Sequence, residues 1–166
     1  ERSMADSGYS VLERFGKFPS KMKMSGGVHA IQFRTSRDIY LFGVGLSGAN
    51  GSITSKVKLL CLQESASAKN SADLAALEEE ITFSKPTYCA PVLFAAPVLV
   101  QADVWHELSA DLGGNFIHYG TKGADCVEAD GVVFSFRNSN QSSMYTRVFR
   151  GQFTQIYFKV RNSRIS

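Results

Sequence analysis

The chain has 166 residues, 44% hydrophobic and 20% charged, with a formal net charge of +3. These values fit one globular domain with its own core and exclude a disordered polyelectrolyte. They give no electrostatic footprint for nucleic acid, and no run approaches the ~18 apolar residues of a membrane span. The most basic stretch is the tail, with Lys159, Arg161 and Arg164, which reads as a solvated end. Cys61, Cys89 and Cys126 are odd in number, lack C-x-x-C spacing and sit in or beside apolar runs. Free thiols in a reducing compartment are therefore expected, and the first residues show no secretory signal pattern.

Taken in order, residues 1–10 are small and polar. Val11 to Pro19 reads as a first strand, and Lys21 to Gly27 as a turn. His29, Ile31 and Phe33 then alternate with Ala30, Gln32 and Arg34, the period of a half-buried strand. Ile39 to Leu46 is apolar on both faces, as a central strand would be. Gly43 and Gly45 within it suggest a bulge or the close approach of another backbone. Val57, Leu59 and Cys61 mark one face of a further strand. Gln63 to Glu80 reads as a loop insertion carrying one helical turn over Asp73 to Glu80, capped from Asn70 or Ser71. Pro86, Pro91 and Pro97 divide the next region into short strands, Val92 to Ala95 and Val98 to Gln101. Val104, His106, Leu108 and Ala110 alternate, and Asp111 to Asn115 reads as a turn. Val132, Phe134 and Phe136 alternate before a polar loop, Asn138 to Ser143. Phe149 to Val160 closes the domain. Many short strands separated by turn signals indicate an all-β sandwich or barrel.

Chemistry-bearing motifs are sparse. Gly43-Val44-Gly45-Leu46-Ser47-Gly48 matches G-x-G-x-x-G, but the β-rich sequence after it offers no helix to hold a pyrophosphate. Gly120-Thr121-Lys122-Gly123 lacks the Ser or Thr that follows the lysine of a phosphate loop. His29, His106 and His118 have no metal spacing, and His29 and His106 fall on apolar faces as packing positions. No G-x-S-x-G elbow or carboxylate pair stands out, so no catalytic, cofactor or metal site is expected. Asn50-Gly51-Ser52 and Asn140-Gln141-Ser142 are sequons short enough to arise by chance. The most distinctive stretch is Phe116 to Gly123, read as a polar loop at the end of strands. Its His118, Tyr119 and Lys122 offer donors and a flat apolar surface suited to recognition.

His118-Tyr119-Gly120-Thr121-Lys122-Gly123 resembles the hallmark H-Y-G-T-K-G of the PHR domain. Arg14-Phe15 resembles that family's opening R-F. Gly27 to Phe33 resembles G-x-x-D-A-I-x-F, with His29 in place of Asp. Ile39 to Leu46 resembles I-x-L-x-G-V-G-L, and Gly151 to Phe158 resembles G-Q-x-P-x-I-x-F, with Thr154 in place of Pro. The resemblance spans residues 12–160, leaving 1–11 and 161–166 as tails. It implies an antiparallel β-sandwich of about eleven strands with glycine-rich apical loops. It also implies a monomeric, non-catalytic module that binds proteins, with no cofactor, nucleic acid or membrane insertion. Such domains occur in the Pam/Highwire giant RING-type ubiquitin ligases of neurons and in BTB-domain adaptors of cullin ligases. Divergence from the family patterns and the long insertion favour the first PHR domain of a Pam/Highwire ligase. The expected setting is cytoplasmic, with axonal and nuclear locations open. The expected partner-binding residues are Gly45, Leu46, Ser47, Gly48, His118, Tyr119, Gly120, Thr121, Lys122, Gly123, Asn140 and Gln141. A BTB-type cullin adaptor, a secreted carbohydrate-binding or adhesion sandwich, and a β-fold enzyme with an unrecognised site are the alternatives.

Overall fold

The computed structural model describes residues 8–20, 27–46, 51–62, 72–83, 90–112, 119–142 and 146–162. Among them thirteen strands form three antiparallel sheets, and no helix occurs. A four-stranded sheet runs β1 (Ser10–Glu13), β13 (Gln155–Val160), β4 (Ile39–Leu46), β7 (Ala90–Val100). A six-stranded sheet runs β10 (Cys126–Ala129), β11 (Val132–Asn138), β3 (Gly27–Thr35), β8 (His106–Leu112), β5 (Gly51–Cys61), β6 (Ala72–Phe83). The third sheet is β12 (Arg150–Gly151), β9 (Tyr119–Gly123), β2 (Phe15–Ser20). The count exceeds eleven because β1 and β2 are one extended run broken at Arg14, and β12 is only two residues long.

The two larger sheets enclose the core of a β-sandwich. Leu12, Ile39, Leu41, Val44, Ile156 and Phe158 come from one sheet; Ile31, Phe33, Leu59, Leu108, Phe134 and Phe136 come from the other. Phe134 on β11 meets Phe158 on β13 edge-on, ring centres 5.0 Å apart. An edge-to-face aromatic pair between sheets adds about 1 kcal/mol to the burial of its area. Alternation places Val57, Leu59, Leu108 and Ala110 inward, as their period requires. Ala30 on β3 is buried although it points the other way, because the chain after β11 lies over it and Ser142 Oγ accepts its N–H at 2.9 Å.

Three sequence expectations are corrected. Residues 72–83 form strand β6, not a helical turn in an insertion. Leu77 pairs opposite Val57 in a long antiparallel ladder with β5, and that tertiary pairing overrides local helix propensity. The two short strands expected around Pro97 are one strand, β7, at an edge of its sheet. There a missing proline N–H costs no ladder bond, and the register steps from Gly43↔Leu93 to Leu41↔Val98 to absorb the extra residues. Asp111 and Leu112 end β8 instead of turning, and Leu112 is core. The close approach expected at Gly43 is present: a Cβ there would stand 2.8 Å from Leu93 Cα. Strand β5 follows the Gly43–Gly48 segment, as the rejection of a dinucleotide fold requires.

The Asp130-Gly131 turn joins β10 to β11 with both residues at positive φ, 49° and 76°. These are the dihedrals of a two-residue hairpin turn, and Asp-Gly is its usual sequence. Ser10 Oγ donates to Asp130 Oδ2 at 2.7 Å and ties this hairpin to β1.

His29 and His106 are both buried on the core side, as their alternation implied. The His106 ring packs on Phe33, centres 5.8 Å apart, and Nδ1 donates to the Val104 carbonyl at 2.9 Å. Burial pushes the imidazole pKa down from its ordinary 6.5, and the bond to Val104 opposes this only in part. The folded state therefore binds this proton less readily than the unfolded chain does. The resulting stability is present above the unfolded value and is lost as pH falls through the folded one. In urea denaturation the domain should weaken from about pH 7 to about pH 5, and His106→Gln should flatten that slope. Equal slopes for the two proteins would remove His106 as the cause.

Candidate functional site

Strand register brings one set of strand ends together. Gly27 pairs with Leu112, Ser55 with Leu112, Gly51 with Phe83, Leu46 with Ala90, and Gln155 with both Glu13 and Gly45. The third sheet continues directly from β1 at this apical end, so the strands leading into several connections converge there.

Arg14 organises this end. It sits where β1 gives way to β2 and is 1% exposed. Its Nε donates to the Phe153 carbonyl at 2.9 Å. Nη2 donates to the Gln152 carbonyl at 2.6 Å and Nη1 to the Val148 carbonyl at 3.0 Å, with the Arg147 carbonyl at 3.4 Å. The guanidinium carbon lies 4.1 Å from the centre of the Phe15 ring and 5.6 Å from that of Phe136. Among the described residues no carboxylate pairs with it. Carbonyl dipoles and two aromatic faces hold the charge instead. Burial pulls its pKa down to about 9, which leaves it protonated at neutral pH. One side chain thus joins β1, β2, β11 and the 147–153 segment.

The hallmark stretch is built onto this clamp. Tyr119 to Gly123 is strand β9, not the loop expected, because β2 and β12 flank it and supply its ladder. Its glycines are packing positions. A Cβ on Gly120 would collide with the Phe15 ring, and one on Gly123 with the Val148 carbonyl. The Gly123 N–H donates to the Phe149 carbonyl at 3.0 Å. Lys122 between them is exposed, with φ of 61°. A lysine in this left-handed conformation costs about 1–2 kcal/mol, and the ladder on both sides imposes it.

Of the residues expected to meet a partner, Gly45, Leu46 and Gly120 are buried, and Leu46 belongs to the core. Thr121 and Gly123 are half-buried; Lys122, Asn140 and Gln141 are exposed. Ser47, Gly48 and His118 lie outside the described residues, and of Tyr119 only the backbone is described, as the first residue of β9. Gln141 lines an open groove of about 410 Å³ on the outer face of the six-stranded sheet, with Val28, Lys58, Ser109 and Asp111. Among the described residues none from β9 lines that groove.

Sequence reasoning missed Phe149. It was read as the first residue of the segment that closes the domain, but it occupies the turn between Arg147 and Arg150, which pair with each other, and it is 55% exposed. The Arg150 guanidinium lies 5.5 Å from its ring centre. Its neighbour Val148 accepts from Arg14, and Asn138 Oδ1 accepts the Val148 N–H at 2.8 Å. An aromatic ring is thereby presented from a held backbone against Gly123, the residue after Lys122. The Arg-Val-Phe-Arg run, apolar between two cations, was the available signal. Among the described residues no three His, Cys, Asp or Glu side chains are placed to hold a metal ion. Cys61 and Cys126 are free thiols, and burial pushes the Cys61 thiol pKa up.

Fold and site together define a β-sandwich whose apical sheet is clamped by a buried arginine. The chain belongs to the PHR domain family, whose pattern it matches over residues 13–159. It is 32% identical over 158 residues to the E3 ubiquitin-protein ligase MYCBP2 of Danio rerio, covering 92% of this chain. It is 29% identical over 159 residues to the E3 ubiquitin-protein ligase highwire of Drosophila melanogaster, again over 92% of this chain. It spans 3% of the length of each of these ligases, within which the PHR domain is a non-catalytic module. The BTB/POZ domain-containing protein 6 of Xenopus tropicalis is 31% identical over 142 residues, 84% of this chain and 26% of that protein.

Replacing Arg14 by Met strands buried carbonyls and should cost about 3 kcal/mol, roughly 6–12 °C in a domain of this size. Arg14→Lys should not restore it, since an ammonium cannot reproduce the planar fork. Gly120→Ala should also destabilise by forcing Phe15 from under the guanidinium. Melting of Arg14→Met within about 2 °C of wild type would show that the clamp is not what holds this end.

Proposed function

We propose that this domain recruits or positions protein partners of an intracellular E3 ubiquitin ligase through its apical end, as part of a neuronal pathway of axon and synapse development. The observation that carries the reading is the exposed Phe149, presented against Gly123, the residue after Lys122, by a backbone that Arg14 holds. Aromatic anchors on preorganised backbone are the usual energetic centres of protein interfaces, because little ordering entropy opposes binding. Arg150 against the ring, Arg147 at the other end of the same turn and Lys122 next to Gly123 favour a partner with acidic groups near an apolar pocket. The similarity to two E3 ligases supports a ligase as the parent protein, and we take the domain as a cytoplasmic, monomeric module without cofactor. The comparable identity to BTB/POZ proteins makes a cullin-adaptor parent the second reading.

Affinity capture from neuronal lysate should identify proteins bound by wild type and lost by both Phe149→Ser and Lys122→Glu. Rebinding of those proteins in purified form should weaken roughly 30-fold or more for Phe149→Ser, with the melting temperature unchanged. Retention of every partner by both folded variants would remove the apical end as the interface.

A further inference from the structure

The outer face of the six-stranded sheet carries a separate cluster that the apical end does not use. Trp105 immediately precedes β8, where Phe33↔His106 is the last β3 pair, so Arg34 is its cross-strand neighbour. The Arg137 guanidinium carbon lies 3.9 Å from the centre of the Trp105 ring, and that of Arg34 lies 4.9 Å away. Arg137 Nε donates to Gln32 Oε1. The Gln32 amide nitrogen donates to Glu107 Oε1 at 3.1 Å, and Ser139 Oγ donates to the same oxygen at 2.5 Å. Arg137 is therefore positioned before any ligand arrives. Both arginines are exposed, and among the described residues neither forms an ion pair.

Two like charges held against one ring repel each other. Cation–π attraction keeps each at the indole without neutralising it. An anion that accepts from both forks would relieve the repulsion, and Arg137 is already ordered for it by Gln32. We infer that Arg34, Trp105 and Arg137 form a binding site for a phosphomonoester borne on a polypeptide, a phosphorylated Ser, Thr or Tyr. Such a group is close to dianionic at neutral pH and has three acceptor oxygens in a tetrahedral array. It can take hydrogen bonds from two guanidinium groups on different strands, whereas a carboxylate is satisfied by one. A polyanion fits less well, because Glu107 shares this face and Glu128 on β10 stands opposite Val133. Val133 is 38% exposed, two residues from Ser135, the β11 partner of Arg34. It offers an apolar contact about 7 Å along the strand for a residue flanking the phosphate.

Trp105 is the single tryptophan of the chain, so its emission reports the site directly. The probe is a blocked hexapeptide carrying one phosphoserine flanked by leucines. It should change Trp105 emission saturably, and its unphosphorylated form should not. Arg34→Gln and Arg137→Gln should each weaken binding about tenfold or more with unchanged melting temperatures, the loss of one charge-assisted donor group. Arg137→Lys should fall between them and wild type, while Phe149→Ser and Lys122→Glu should bind the peptide as wild type does. Equal binding of the unphosphorylated peptide, or no saturable change, overturns the inference. So does inorganic phosphate binding as tightly as the phosphopeptide, which would mark a free-phosphate site. Tighter binding of a single-stranded oligonucleotide would assign the cluster to nucleic acid instead.

Discussion

A buried guanidinium held by backbone carbonyls is the constraint on which this end of the domain depends. Arg14 lies where the chain leaves one large sheet for the small apical one, and its donors reach carbonyls of Val148, Gln152 and Phe153 far along the chain. Carbonyl dipoles are individually weak acceptors, so several must converge to offset the desolvation of the charge. That convergence dictates the path of residues 147–153, and with it the turn that exposes Phe149. The Phe15 ring beneath the guanidinium in turn leaves room only for a glycine at position 120.

Backbone strain gathers around the same clamp. Lys122 and Phe153 both have positive φ, at 61° and 62°, a conformation that aromatic and long side chains rarely adopt. Phe153 is wholly buried and its carbonyl accepts from Arg14, so packing and hydrogen bonding impose the conformation together. Lys122 is exposed between Gly120 and Gly123, where any side chain would meet Phe15 or the Val148 carbonyl. The strain at Lys122 is thus stored where the side chain is available to a partner. The arginine–tryptophan cluster is positioned differently, by a side-chain relay through Gln32, Glu107 and Ser139 on the sheet's outer face. The two surfaces share no residue, and changes to one can be read independently of the other.

Much of the sandwich was legible in the chain. Period-two alternation in β3, β8, β11 and β13 marks the face that meets the core, although Ala30, Glu107 and Tyr157 on the opposite face are buried as well. The six-residue hallmark was recognisable, but its meaning was not. Read locally, a glycine-bounded polar stretch is a loop; it is a strand here because Phe15 to Ser20, a hundred residues earlier, pairs with it. The helix expected over Asp73 to Glu80 failed for the same reason. Leu74 and Leu77 suit a helical turn in isolation, but β5 supplies a continuous ladder that a turn would forgo.

The sequence by itself determined the class of fold, because the hydrophobic period is a local property that burial on one face imposes along each strand. It also determined the family, because Arg14, the glycines at 120 and 123 and the flanking motifs stand in the family's order. Only the tertiary structure decided which of these residues face solvent. Burial of Gly45, Leu46 and Gly120, exposure of Phe149, and the meeting of Arg34 and Arg137 on one indole all result from contacts between residues distant in sequence. Nothing in the local pattern encodes such contacts, since they are set by strand register and by which carbonyls one buried cation gathers.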